Sequence, residues 1–251
     1  MTDIILSGCS GKMGASIIAC AAGGTDCKIA AGVDIIEPQG VDFAFAKSFE
    51  ELDVKADAIV DFSNPAVLDS LLTYAKEKKL PCVICTTGYN EEQKAKIQEA
   101  AKEIPVFYSG NMSLGINLII ELAKKAAAVF GDNFDVEIVE QHHNQKLDAP
   151  SGTALMIADA VSEVKTDAEY VYDRHAYRKK RDKKEIGIHS VRGGNIVGEH
   201  EIIFAGTDEI LKISHSARSK SVFAVGALNA AAFLKGKEPG MYDMSDLRAS
   251  K

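Results

Sequence analysis

The chain has 251 residues, enough for one large or two modest domains, and its 46% hydrophobic and 26% charged residues exclude a disordered chain. A formal charge of −7 and a pI near 5.4 exclude a surface built mainly to neutralise nucleic-acid phosphates. Met1-Thr-Asp lacks the basic start of an export signal, and no run reaches the ~18 apolar residues of a membrane span, so a cytoplasmic protein without a membrane partner is expected. Five cysteines, an odd number without regular spacing, fit a reducing compartment.

In chain order, Ile4 to Leu6, Ile29 to Val33, Ala58 to Asp61, Cys82 to Cys85 and Val106 to Tyr108 read as short apolar strands. Helix-like segments lie between them. The clearest runs from Asn90 to Lys102, where Asn90 suits the cap, Glu91 and Glu92 suit the positive end of the helix dipole, and Pro105 follows. Apolar strands alternating with helices predict a parallel sheet covered on both faces, a Rossmann-like doubly wound α/β domain. From about Asn111 the rhythm changes. A long helix, Leu114 to Phe130, precedes strand-like runs at Val136 to Glu140, Ile186 to Arg192, Glu201 to Phe204 and Ile210 to His215, the pattern of an α+β domain. The last helix, Val222 to Leu234, is apolar nearly all round and must be buried against something the pattern does not name.

Directly after the first strand stands Gly8-Cys-Ser-Gly11-Lys-Met-Gly14, followed by the helix-like Ala15 to Ala22. A glycine turn between strand and helix lets backbone amides approach a pyrophosphate at the helix start. The spacing is Gly-x-x-Gly-x-x-Gly rather than the commoner Gly-x-Gly-x-x-Gly, and a merely tight turn is the competing reading. Asp34, about 20 residues on at the end of the second strand, suits hydrogen bonds from an adenosine ribose and repels a 2′-phosphate. Ile35, Ile36 and Glu37 follow it without a cation. NADH is therefore expected to be favoured, with NADPH possible through Lys12 or a more distant cation.

The richest segment is Glu140-Gln-His142-His143-Asn-Gln-Lys146-Leu-Asp-Ala-Pro-Ser151-Gly152-Thr153, between a strand and a helix. Paired imidazoles and a lysine are poor core filler but good proton carriers. Ser151 or Thr153 can cap the helix, whose free amides, with Gly152 allowing close approach, suit a carboxylate opposite Lys146.

The run His142 to Thr153 resembles the signature of the dihydrodipicolinate reductase family. Asp61-Phe62-Ser63 with Pro65, Thr86-Thr87-Gly88, Gly110-Asn111-Met112-Ser113 with Gly115 and Asn117, and Val197-Gly198-Glu199-His200 carry the same likeness across nearly the whole chain. The resemblance implies a dinucleotide-binding domain over residues 1–111 and 222–251. It also implies a substrate-binding and tetramerisation domain over residues 112–221, in a homotetramer. The implied reaction is NAD(P)H-dependent reduction of 4-hydroxy-tetrahydrodipicolinate to tetrahydrodipicolinate in lysine and diaminopimelate biosynthesis. By motif position, Gly8, Cys9, Ser10, Gly11, Lys12 and Met13 would hold the pyrophosphate and Asp34 the ribose. Phe62, Cys85, Thr86, Thr87, Ser109, Gly110, Asn111 and Met112 would complete the cofactor site. His143, Ser151, Gly152 and Thr153 would bind substrate, with His142 and Lys146 as the acid–base pair. No metal is implied. The chain departs from many members at Cys85, where they carry Gly, and at Ile35, where they carry Arg; the second departure agrees with an NADH preference.

Other signals have plainer readings. Cys82-x-x-Cys85 lies on an apolar strand without a second pair and reads as core, and the basic run Arg178 to Lys184 reads as a solvated loop. Arg192 and His200 are candidates for the rim of a substrate cleft, but no spacing assigns them there.

Overall fold

The computed structural model describes residues 1–176 and 178–249. Tyr177, Ser250 and Lys251, which fall in the expected domain ranges, lie outside them. The chain divides into two units: Met1–Leu114 together with the chain from Lys220 onward, and Gly115–Ser219.

In the first unit β1 (Thr2–Ser7) leads through the glycine turn to α1 (Lys12–Ala22), then β2 (Cys27–Val33), β3 (Ala44–Ala46) and β4 (Ala58–Asp61). After these come α2 (Leu68–Lys78), β5 (Cys82–Ile84), α3 (Glu91–Ala100) and β6 (Pro105–Tyr108). The second unit holds most of α4 (Leu114–Phe130), with β7 (Asp135–His142), α5 (Gly152–Ser162), β8 (Glu169–Val171), β9 (Glu185–Arg192), β10 (Gly198–Ala205) and β11 (Ile210–Ala217). The first unit is then completed by α6 (Ser221–Leu234), β12 (Gly240–Tyr242) and α7 (Met244–Ala249).

The first unit is a parallel seven-stranded sheet in the order β12-β6-β5-β4-β1-β2-β3. This is the doubly wound α/β arrangement, whose order reverses between β1 and β4. Side chains alternate across the sheet. Ile5, Ile59 and Ile84 pack with Leu71 of α2 and Ile97 of α3 on one face. Ile4, Leu6 and Val60 pack with Ile17 of α1 and Ala227, Leu228 and Ala231 of α6 on the other. Burial on both faces is why these strands read as continuous apolar runs. Asn90 and Gln93 form a reciprocal capping box at the start of α3. The apolar helix α6 thus finds its place against α1 and the sheet, and its alanines permit that close approach.

The second unit is a mixed five-stranded sheet, β11-β10-β7-β9-β8, in which β7 runs parallel to β9 and antiparallel to β10. Val136, Ile138, Ile186, Ile188, Ile202 and Phe204 face Ile116 and Ile119 of α4 and Ile157 and Val161 of α5. The alternate residues Val139, Val191 and Ile203 point the other way and stay partly uncovered, Val191 being 44% exposed. Three strands that sequence patterning does not predict, β3, β8 and β12, have only three residues each. At that length alternation has no room to register. Strand β7 also runs past the expected end at Glu140 to His142, placing both side chains on one face of the sheet, two residues apart.

Candidate active site

In the first unit, the turn after β1 begins with Gly8 at φ +81°, where a Cβ would come within 2.4 Å of the Phe62 carbonyl oxygen. Only glycine suits both the conformation and the space. Gly11 occupies the N-cap of α1, no side chain caps that end, and no acidic residue lies in its first turn. The first amides of α1 and the positive end of its dipole are left for an anion. The Asp34 carboxylate accepts the Ser10 amide at 2.9 Å and the Ile35 amide at 2.7 Å, tying the turn to the end of β2. Ser10 adds a hydroxyl bond to the Ile36 carbonyl.

A pocket of about 340 Å³ opens beside this turn, lined by Gly8, Gly11, Asp34, Ile35, Lys47 and Phe62 among others. Its lining suits the phosphate, ribose and base of a nucleotide: an uncapped helix start for phosphate, a carboxylate acceptor for ribose hydroxyls, and apolar walls for a base. Lys47 lines the pocket too, a cation contributed by the short β3 connection that sequence patterning does not bring near Asp34.

The remaining expected cofactor residues divide by exposure. Cys9 (1% exposed), Cys85 (7%) and Met112 (3%) are buried, so they can offer a ligand only backbone atoms. Thr86 is buried and accepts the Ser63 amide at 2.8 Å, whereas Thr87 and Gly110 are exposed. Ser109 and Asn111 brace their own turn through Ser109 Oγ to the Asn111 carbonyl and the Ser113 amide to Asn111 Oδ1. Burial pushes the Cys82 and Cys85 thiols well up, with nearby Asp61 adding to it, which keeps both protonated and inert. Among the described residues no cluster of His, Cys, Asp and Glu is arranged to hold a metal ion.

In the second unit the centre is Glu140, fully buried at the end of β7. Arg192 grips it bidentately, Nη2 to Oε1 at 2.7 Å and Nη1 to Oε2 at 2.8 Å. The Ser151 amide donates to Oε1 at 3.1 Å, and His142 Nδ1 lies 2.5 Å from Oε2. Burial alone would raise this carboxyl, but the bonds from Arg192, Ser190, His142 and Ser151 outweigh it and draw Glu140 down to about 2. Glu140 is therefore ionised throughout the neutral range.

His142 is pushed below the ordinary imidazole value, first by burial and then by Lys146 and Arg192, with Glu140 opposing. It is neutral at rest. His200 stands edge-on to it, ring centroids 5.3 Å apart, and meets Ser151 Oγ through Nε2 at 3.1 Å. Ser151 is the N-cap of α5, accepting the Ala154 amide, and is buried. Its hydroxyl is thus spent on structure. Gly152 is exposed with nothing within 4 Å of where a Cβ would stand, so the start of α5 is open to a ligand carboxylate.

The loop between β7 and α5 is pinned by Arg192 Nη2 to the Asp148 carbonyl at 2.6 Å and by the Asn144 amide to the Gly194 carbonyl. It carries His143 and Lys146, the latter paired with Asp148 at 2.8 Å. The unit therefore brings His142, Lys146, Ser151 and Gly152 around one strand end, together with Arg192 and His200, the two rim candidates that no spacing assigned, and Glu140, to which sequence reasoning gave no role. Strand pairing puts Arg192 opposite His142 and His200 opposite Glu140. Pairings between residues so far apart in the chain have no local signal.

His200 makes this cluster acid-sensitive. It is held down to about 4, first by burial and then by His142, with His215 and Lys146 adding and Glu140 opposing. Below about 6.5 the unfolded chain takes up a proton that the folded chain refuses until about pH 4, so stability falls as pH drops through that window and the loss is complete below it. For this group the loss should be about 3 kcal/mol. Urea unfolding at pH 7 and pH 4 should show it in the parent and show it much reduced in His200→Gln; identical losses in the two proteins would refute the assignment.

Two family models cover the chain: Dihydrodipicolinate reductase, N-terminus, over residues 2–112, and Dihydrodipicolinate reductase, C-terminus, over residues 115–247. The 4-hydroxy-tetrahydrodipicolinate reductase of Clostridium novyi (strain NT) is 49% identical over 252 residues, covering 100% of both chains. That of Caldanaerobacter subterraneus subsp. tengcongensis is 50% identical over 248 residues, 98% of each. In three dimensions the fold matches dipicolinate-bound dihydrodipicolinate reductase from Paenisporosarcina sp. TG-14 at TM-score 0.78, 24% identity and 97% coverage of each chain. It also matches a probable dehydrogenase from Thermotoga maritima at TM-score 0.63 and 14% identity, over 99% of this chain and 93% of that one. Glycine turn, doubly wound sheet and imidazole-lysine loop thus occur in a chain that belongs to the dihydrodipicolinate reductase family and is an oxidoreductase using a nicotinamide nucleotide.

Proposed function

We propose that the chain reduces 4-hydroxy-tetrahydrodipicolinate to tetrahydrodipicolinate in lysine and diaminopimelate biosynthesis, in the cytoplasm. The observation that carries this reading is the cluster of His142, Lys146 and the open start of α5 around one strand end, the donor set a cyclic dicarboxylate imine needs. Gly8 to Met13 and Asp34 would hold a nicotinamide nucleotide, which would supply the hydride when bound. Loss of the ring hydroxyl as water leaves a carbon conjugated with the imine; hydride addition there gives an enamine, and a proton must then be delivered to the neighbouring carbon. His143, Gly152 and Thr153 hold the carboxylates. His142 and Lys146 handle the proton. Anchoring both carboxylates fixes the ring before the chemical step and so lowers its entropic barrier. The five cysteines, all unpaired, suit the reducing cytoplasm.

Asp34 favours an unphosphorylated ribose, so NADH is the preferred donor in this reading, while Lys47 in the same pocket leaves NADPH usable. The partly uncovered apolar residues Val139, Val191 and Ile203, on three adjacent strands, support assembly of a homotetramer through that face of the second unit's sheet.

The deciding assay follows nucleotide oxidation while the cyclic imine is generated in place from pyruvate and aspartate semialdehyde by a coupled synthase. His142→Gln and Lys146→Ala should each lower kcat about 10²–10⁴-fold while NADH affinity, read by fluorescence titration, is kept. Near-parental turnover in both would remove these roles. With the two nucleotides compared in the same assay, kcat/KM should be larger for NADH, and a clear preference for NADPH would disprove the ribose reading. Sedimentation equilibrium should give a tetramer for the parent and smaller species for Val191→Glu; a parent that is monomeric would rule the assembly out.

A further inference from the structure

Every acceptor position of Glu140 is committed. Oε1 takes Arg192 Nη2 and the Ser151 amide, and Oε2 takes Arg192 Nη1 and faces His142 Nδ1. An ionised carboxylate can only accept, so the hydrogen of this contact must sit on Nδ1. The other nitrogen, Nε2, then carries the lone pair of the neutral ring. It has no hydrogen-bond partner among the described residues, and it lies 3.2 Å from where a Cβ on Gly198 would stand. Glycine at 198 is what keeps that nitrogen uncrowded. Arg192 reaches beyond Glu140 to the Asp148 carbonyl, so the same charged pair also holds the loop that carries Lys146.

We propose that Glu140 is the positioning residue of this site: it holds His142 in the Nδ1–H form with Nε2 open to the ligand. Through the Ser151 amide it also sets the distance from that nitrogen to the start of α5. A ring free to rotate, or protonated on Nε2 at rest, would place the wrong atom beside a carboxylate-anchored substrate. When Nε2 gains a proton, the imidazolium forms against a fixed negative charge that offsets it. The division of labour is that of a carboxylate-oriented imidazole, in which the carboxylate sets tautomer and aim and the imidazole moves the proton. This positioning role rests on His142 being the proton carrier of the proposed function.

The test uses the full chain with ¹⁵N-labelled histidine. Long-range ¹H–¹⁵N spectra at pH 8 should give His142 an unprotonated Nε2 in the parent and a mixed or reversed pattern in Glu140→Gln, whose amide cannot replace the carboxylate. In that variant kcat should fall about 10²–10⁴-fold, while nucleotide affinity stays at the parental value. Glu140→Asp, which keeps the charge, should regain part of the lost turnover. A protonated Nε2 in the parent, or an unchanged tautomer in Glu140→Gln, overturns the proposal whatever the turnover. Should Glu140→Gln fail to fold, the parental spectrum alone decides. Parental turnover in His142→Gln would instead overturn the catalytic reading and leave the tautomer assignment standing, so the two failures are separable.

Discussion

A carboxylate with no access to water has to be surrounded by donors, because an unpaired buried charge costs several kcal/mol. Glu140 meets that demand by drawing four groups to one point: the Arg192 fork, the His142 ring, the Ser151 amide and the Ser190 hydroxyl. They come from β7 itself, from β9 and from the start of α5. One buried charge therefore sets the relative placement of two strands, a helix end and the loop between them, and those are the parts that bear His142, His143, Lys146 and Gly152. The geometry available to a ligand follows from satisfying Glu140.

The two units present helix starts that differ in a way that matters for what each can hold. In the first, α1 begins at Gly11 without any side-chain cap, leaving its leading amides and dipole for a phosphate. In the second, Ser151 caps α5 with its hydroxyl and gives its own amide to Glu140, so the anion site is narrowed to the exposed amides beyond it. The first suits a doubly charged diphosphate bridging several donors; the second suits a single carboxylate, with Lys146 nearby on the pinned loop, where it is paired with Asp148.

Much of this was legible in the chain itself. The parallel sheet followed from apolar strands alternating with helices, the glycine turn from its place between β1 and α1, and the cap of α3 from Asn90 and its acidic neighbours. The segment from His142 to Thr153 stood out because adjacent imidazoles and a lysine have no packing purpose. Other residues were opaque for definite reasons. Arg192 and His200 joined the site through strand registers, Lys47 reached the Asp34 pocket from the turn after a three-residue strand, and Cys9, Cys85 and Met112 withdrew their side chains into the core. None of these is a local property.

By itself the amino-acid sequence determined the periodicities, the turns and the chemical types gathered in each motif, since these depend on neighbours within a few residues. Only the tertiary structure decided which nitrogen of His142 is held, which of Ser151 and Thr153 caps α5, and which surface of the first unit the apolar helix α6 packs against. Those outcomes depend on which strands pair and which faces close, and that is set by burying apolar surface and satisfying a buried charge across the whole unit rather than by any stretch of chain read alone.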